Sequence, residues 1–179
     1  MRMDPATSPP GQIRQLRPSD RCRFGEHLLR LDRGSRRDRF NGAASDEQMR
    51  AYAERCFRDG VTVVACVEDD RVLGAAEIHE RPDLVPPTGE IAFSVERAWQ
   101  KRGIGGRLFE RTIAHARAMG YTRLLVTTHP QNLAMKALAR RFGADLHFVQ
   151  GEAVGTITLP PEPIPPLPFS RRPYQVPGN

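Results

Sequence analysis

Apolar positions along the chain follow two rhythms. Gln12-Ile-Arg-Gln-Leu-Arg17 alternates and predicts a short strand. Pro18-Ser19-Asp20 marks a helix start, and Leu28, Leu29 and Leu31 give that first helix an apolar side. Ser45-Asp46-Glu47 opens a second helix with Met49, Tyr52, Ala53, Cys56 and Phe57 at helical spacing, stopped by Asp59-Gly60. Val61 to Val67 is a nearly all-apolar, β-branched run, which reads as a strand covered on both faces. Glu68 to Arg71 turns the chain and Val72 to Ile78 returns it as a hairpin. Arg81 to Thr88 holds three prolines and is a loop, and Glu90 to Val95 is a further strand. Gly103 to Gly120 carries the stripe Ile104, Leu108, Phe109, Thr112, Ile113, Ala116 and Met119, a strong helix. Thr122 to Thr128 is a strand, Asn132 to Phe142 a helix closed by Gly143, and Leu146 to Val149 with Val154 to Leu159 a closing hairpin around Gly151. This order describes a mixed α/β sandwich around one sheet.

A length of 179 residues fits one domain with a real core. The expected division is a loose arm over 1–11, one domain over 12–159 and a Pro-rich tail of polyproline character over 160–179. The start of the chain has no apolar signal-peptide core, and no run approaches the ~20 apolar residues of a membrane span, so the expectation is a cytoplasmic protein with no membrane partner. The three cysteines, Cys22, Cys56 and Cys66, form no CxxC pair, and no His, Asp, Glu or Cys cluster has metal-ligand spacing, so no metal is expected. The formal net charge of +6 suits an anionic partner. The Arg-rich segment Arg30 to Arg39 has only Phe40 as aromatic company and reads as a solvated helix end, so nucleic acid is not the expected partner.

The chemistry-bearing stretch is Gln100-Lys101-Arg102-Gly103-Ile104-Gly105-Gly106-Arg107, directly after a strand and directly before the strongest helix. A helix start leaves backbone N–H groups unpaired, and its dipole adds positive potential. Gly103, Gly105 and Gly106 remove side chains that would hold a phosphate away, while Lys101, Arg102 and Arg107 add charge. Neither GxGxxG nor GxxxxGK[ST] is met. On this segment alone, a tight turn that needs glycines accounts for the pattern as well as a phosphate cradle does.

Two motifs separate those readings. Gln100-Lys-Arg-Gly103-Ile-Gly105 resembles the Q/R-x-x-G-x-G/A motif of the GNAT acyl-CoA N-acyltransferases. Asn132 followed by a short helix ending at Gly143 resembles that family's next motif. The resemblance runs from about Ile13 to Leu159 and is strongest from Glu90 to Gly143. A narrower likeness joins Leu31 to Phe40, and Met135 after Asn132, to the acetyltransferase domain of bacterial Pat-type protein-lysine acetyltransferases.

The resemblance implies a mostly antiparallel sheet flanked by about four helices, with a splay between the strands at 90–96 and 122–128. It implies acetyl-CoA as acyl donor, with its diphosphate on the amides from Arg102 to Arg107. The pantetheine arm would run along Ala92 to Val95 and meet Asn132 and Met135. A backbone N–H of Phe93, Ser94 or Val95 would serve as oxyanion donor. The acceptor would be a primary amine, on a protein lysine or a small molecule, and the assembly a monomer or homodimer. A lysine of pKa about 10.4 is almost wholly protonated at neutral pH, so a general base helps. Glu90 is the candidate, with Glu77 and His79 second. The Tyr that many members use as general acid corresponds to Ala139, and Ser94 is a possible hydrogen-bonding substitute. The alternative is a non-catalytic acyl-CoA-binding or sensing module of the same fold.

Overall fold

A computed structural model of the chain describes residues 10–160. The arm expected over 1–11, apart from Pro10 and Gly11, and the tail expected beyond Pro160 lie outside the described residues.

The first strand, β1 (Gln12–Gln15), is followed by a short 3₁₀ turn and three helices: α1 (Arg21–Arg30), α2 (Arg33–Phe40) and α3 (Asp46–Arg55). Three long strands come next: β2 (Val61–Glu68), β3 (Arg71–Arg81) and β4 (Thr88–Val95). Then come α4 (Ile104–Ala118), β5 (Arg123–Thr128), α5 (Leu133–Arg141), β6 (Asp145–Val149) and β7 (Glu152–Thr158). The seven strands form one sheet in the order β1-β2-β3-β4-β5-β7-β6. Every neighbouring pair is antiparallel except β4 and β5.

Strand alternation divides the core between two faces. Val63 and Ala65 of β2 face α1 and α3 and join Phe24, Leu28, Met49 and Ala53. Val64 and Cys66 point the other way and pack with Ile104 and Leu108 of α4. A third cluster joins Ile91, Leu124 and Val126 to Phe109 and Ala139 beneath α4 and α5. Because β2 is buried on both faces, it carries no polar alternation, as its sequence predicts.

Five α-helices stand where about four were expected, and α2 is the addition. It has no buried residue, so there was no apolar stripe to reveal it. Polar contacts build it instead. Asp32 caps its start by accepting from the N–H groups of Gly34 and Ser35, and Asn41 ends it with a left-handed φ of 56°. Arg36 then ties it down, donating to the carbonyls of Leu29 at 2.6 Å and Leu31 at 3.0 Å.

The parallel pair positions the site. Thr88 to Ile91 pair with Arg123 to Val126, and the pairing stops there. Ala92 to Val95 continue along β3 with no partner in β5, which is the splay expected between these strands.

Candidate active site

The splay opens a groove of about 460 Å³ between α2, the free edge of β4, the loop at 99–105 and α5. A smaller cavity adjoins it at Arg39, Ala92, Thr127 and Asn132.

The groove has a backbone wall. In an antiparallel ladder the N–H and C=O of one residue point to the same side, and the side alternates along the strand. The Glu96 N–H bonds the Leu73 carbonyl in β3, so Ser94 and Ala92 also turn their amides into that ladder. Phe93 and Val95 therefore present theirs to the gap. Of the backbone donors expected at 93–95, Ser94 is thus corrected: its N–H belongs to the β3 ladder. The Val95 carbonyl accepts from Gln100 Nε2 at 3.0 Å, and the same amide reaches Ser35 Oγ at 3.3 Å, so Gln100 joins the loop to both β4 and α2. The Phe93 ring stacks on Phe109, which stacks on Phe142, giving the groove a rigid apolar floor.

The glycine loop closes one end. Lys101 and Gly103 both adopt positive φ, 59° and 81°, and turn the chain into α4. Among the described residues no backbone acceptor takes the N–H groups from Lys101 to Gly106, whereas the Arg107 N–H bonds the Gly103 carbonyl as the first closed turn. A methyl on Gly103 would meet nothing within 4 Å, so its requirement is the positive φ. Ile104 is buried against the sheet and pins the helix start. The Arg102 guanidinium stacks over Trp99 at 4.9 Å.

Arg107 departs from its expected role. Its guanidinium donates to the carbonyls of Pro10 and Gly11, both at 2.8 Å, and is not among the groove's lining residues. The charge is turned to the far side of α4, where it holds the start of the domain. Arg141 is a cation that sequence reasoning passed over: a methyl built on Gly106 would lie 3.5 Å from its guanidinium.

Asn132 is the N-cap of α5. Its Oδ1 accepts from the Met135 N–H at 3.0 Å and its Nδ2 donates to Thr128 Oγ1 at 3.0 Å. Asn132 and Met135 line both cavities. Ala139 is fully buried in the core, so no side chain reaches the groove from that position.

Glu90 lies on the β4 face that looks toward α1–α3, opposite His79 in β3. Its carboxylate pairs with Arg81 at 2.9 Å and is partly exposed, and it is not among the groove-lining residues. Two residues along the same face is the register pair Ala92–Glu77. Glu77 is completely buried, ion-paired with Arg39 and hydrogen-bonded by the Tyr52 hydroxyl at 2.8 Å; Arg39 lines both cavities. Burial alone would raise the Glu77 carboxyl, but Arg39, with help from His79 and Tyr52, outweighs it and holds the group at about 2. Cys56, Glu77 and His79 bring ligand atoms within 4.8 Å of one another, a grouping that residue spacing did not reveal. Burial and the Glu77 charge push the Cys56 thiol up to about 12, and a guanidinium already occupies the carboxylate. A cation here would have to displace Arg39.

A second buried network was also missed. His27 of α1, fully buried, places Nε2 2.9 Å from Ser94 Oγ and Nδ1 3.3 Å from Glu96 Oε1. Arg30 and Arg71 also donate to Glu96, at 2.9 and 2.5 Å. Burial pushes the Glu96 carboxyl up; hydrogen bonds from His27, Arg71 and Arg30 bring it down to about 2. The signal was present, since His27 falls at helical spacing among Phe24, Leu28 and Leu31.

Glu77 and Glu96 link folding to pH. Both have folded values near 2 against an ordinary value of 4.5, so their contribution is complete above about pH 4.5 and is lost as pH falls toward about 2. Melting temperatures between about pH 5 and 2 should fall steeply. Glu96→Gln should flatten that limb while lowering stability at neutral pH. A variant with an unchanged acid slope would show that the Glu96 network does not couple to folding.

Comparison with known proteins agrees with this architecture. The family model described as "Acetyltransferase (GNAT) family" matches residues 28–144. The GNAT domain of S. lividans PAT superposes with a TM-score of 0.72 at 20% identity, covering 82% of this chain and 89% of that one. The putative acetyltransferase yncA from Salmonella typhimurium, solved with its cofactor acetyl-CoA, gives a TM-score of 0.61 at 19% identity over 83% of this chain and 94% of its own. The ribosomal-protein-alanine N-acetyltransferase from Brucella melitensis gives 0.64 at 19% identity, covering 83% and 99%. Among the described residues no helix is long and apolar enough to cross a membrane.

Proposed function

Given that the chain belongs to the acetyltransferase (GNAT) family, we propose that it transfers an acetyl group from acetyl-CoA to a primary amine of a protein lysine or a small molecule. The observation that carries this reading is the continuity of the groove. Lys101 and Gly105 line one end, where the helix-start N–H groups at 103–106 have no backbone acceptor among the described residues, and the free Phe93 and Val95 N–H groups lie along the wall.

The residues fit the donor in parts. The N–H groups of Gly103 to Gly106, with Lys101 and Arg102 beside them, hold a diphosphate by dipole and charge together. The Phe93 and Val95 amides take the extended pantetheine arm as a β-strand partner, and one of them polarises the thioester carbonyl. Phe93, Met135 and Leu138 exclude water from the arm. Glu90 receives the proton of the attacking amine, on the sheet face that also carries His79 and Glu77. The thiolate leaves without a protein acid from α5, since Ala139 is buried there. A thiol of ordinary pKa about 8.5 tolerates this. The same Ala139 favours a second reading, a module that binds acyl-CoA without turnover.

The test is calorimetry with coenzyme A, paired with thiol release from acetyl-CoA over a panel of amines, lysine peptides and proteins. We expect binding, and release that depends on an amine. Glu90→Gln should lower kcat by about 10²- to 10⁴-fold and leave coenzyme A affinity nearly intact. Unchanged turnover in that variant would remove Glu90 from the mechanism. Binding without release over the whole panel would favour the non-catalytic module.

A further inference from the structure

Ser94, His27 and Glu96 are joined in the sense that activates a serine. Glu96 is held ionised by Arg30, Arg71 and His27, and an ionised carboxylate can only accept hydrogen bonds. The proton of His27 therefore sits on Nδ1, facing Glu96. In the neutral ring Nε2 is then the acceptor, and the Ser94 hydroxyl donates to it across 2.9 Å.

This polarity decides what Ser94 can do. Its proton is directed at His27, leaving oxygen lone pairs free. It is thus a poor acid for a departing thiolate, the substitution considered for the missing Tyr, and a good nucleophile. Its place in the fold suits that role. Ser94 lines the groove on the stretch of β4 that β5 has left, between the Phe93 and Val95 amides that face the gap. Nucleophile, base, orienting carboxylate and two candidate oxyanion donors thus lie within four successive positions, 93–96 at the end of β4, and one helix.

We propose that Ser94 is an acyl-accepting nucleophile, giving the chain an ester- and thioester-cleaving activity separate from amine transfer. In the step, the Ser94 Oγ–carbon bond forms as the carbonyl carbon's bond to the leaving sulfur or oxygen breaks. The Ser94 proton passes to His27 Nε2 and then to the leaving group. Water, deprotonated by the same nitrogen, then attacks the acyl-serine. The carboxylic acid departs and Ser94 recovers its proton. Only water is consumed. The inference rests on the acyl-CoA reading for its natural donor alone.

The test therefore uses p-nitrophenyl acetate, which needs no coenzyme A site. The full chain is incubated with the ester, p-nitrophenol release is followed, and the quenched protein is digested and mapped by mass spectrometry. The expected result is an early burst of p-nitrophenol and an acetyl group on the peptide containing Ser94. Ser94→Ala should release p-nitrophenol at least tenfold more slowly, and Ser94→Cys should restore acylation. Labelling confined to surface lysines in the wild-type chain would overturn the proposal, and this readout requires no variant to fold. Coenzyme A calorimetry on the same preparation separates the two readings. Binding without Ser94 acylation refutes the serine chemistry, and Ser94 acylation without binding refutes the acyl-CoA assignment.

Discussion

Glu77→Gln should destabilise the fold by about 3–5 kcal/mol, because it leaves the Arg39 guanidinium charged and buried without its counter-ion. In a domain of this size that is a fall in melting temperature of about 6–20 °C. No nearby group can compensate. Arg39 Nε already lacks a hydrogen-bond partner among the described residues, as does the second oxygen of Glu77. The Tyr52 hydroxyl donates to the same Glu77 oxygen that Arg39 contacts and accepts from Arg39, so Gln can keep an acceptor there but supplies no charge to balance the guanidinium. The effect should extend to function. With no buried residue of its own, α2 is held by Arg36 and Arg39, and α2 forms one wall of the groove. Releasing Arg39 should loosen that wall and weaken any ligand bound against it. The control is the double variant Arg39→Met with Glu77→Leu, which replaces both charges with apolar groups and should recover most of the lost stability. A Glu77→Gln melting temperature within about 2 °C of the wild type would mean that the pair is open to water in solution.

What could be read from residues alone follows from the kind of force that builds each part. The sheet and four of the helices are apolar structures, and alternation or helical spacing exposes them: β2 as an unbroken apolar run, α4 through Leu108, Phe109, Thr112 and Ala116. The glycine loop is legible because Gly103 supplies a backbone conformation that other residues resist. α2 was hidden because its stability comes from its Asp32 cap and from Arg36 and Arg39 reaching other elements. Charged pairs between distant segments have no period. Arg39 and Glu77 lie 38 residues apart, and His27 and Ser94 lie 67 apart. The direction of a long side chain is equally silent. Arg107 has the charge and spacing of a phosphate ligand, and only the fold reveals that it points to Pro10 and Gly11. Strand parity belongs in the same class, since only the β3–β4 register shows that Phe93 and Val95, not Ser94, turn their N–H groups toward the gap.

Gly105→Asp should abolish measurable coenzyme A binding while leaving the protein folded. Gly105 is the second residue of α4, in the first turn, where a carboxylate interacts favourably with the helix dipole by about 0.3–1 kcal/mol. A Cβ at this position meets Leu138 Cδ2 at 3.4 Å, ordinary contact, so a Cβ is accommodated without moving the backbone. Folding should therefore be unchanged or slightly favoured. The same carboxylate would occupy the dipole end and the amides proposed to hold the diphosphate. Like charges about 4 Å apart repel by about 4 kcal/mol in a partly solvated site, and a loss of that size corresponds to roughly a thousandfold in affinity. Gly105→Ala separates charge from bulk: it adds a methyl and should change Kd by less than about tenfold. Calorimetry at two salt concentrations completes the test, since screening should reduce the Asp penalty and leave the Ala effect alone. Because the dipole rewards the carboxylate in the empty protein while the diphosphate's like charge repels it in the complex, stability and affinity should move in opposite directions. A Gly105→Asp chain that binds coenzyme A with wild-type affinity would move the diphosphate away from the start of α4.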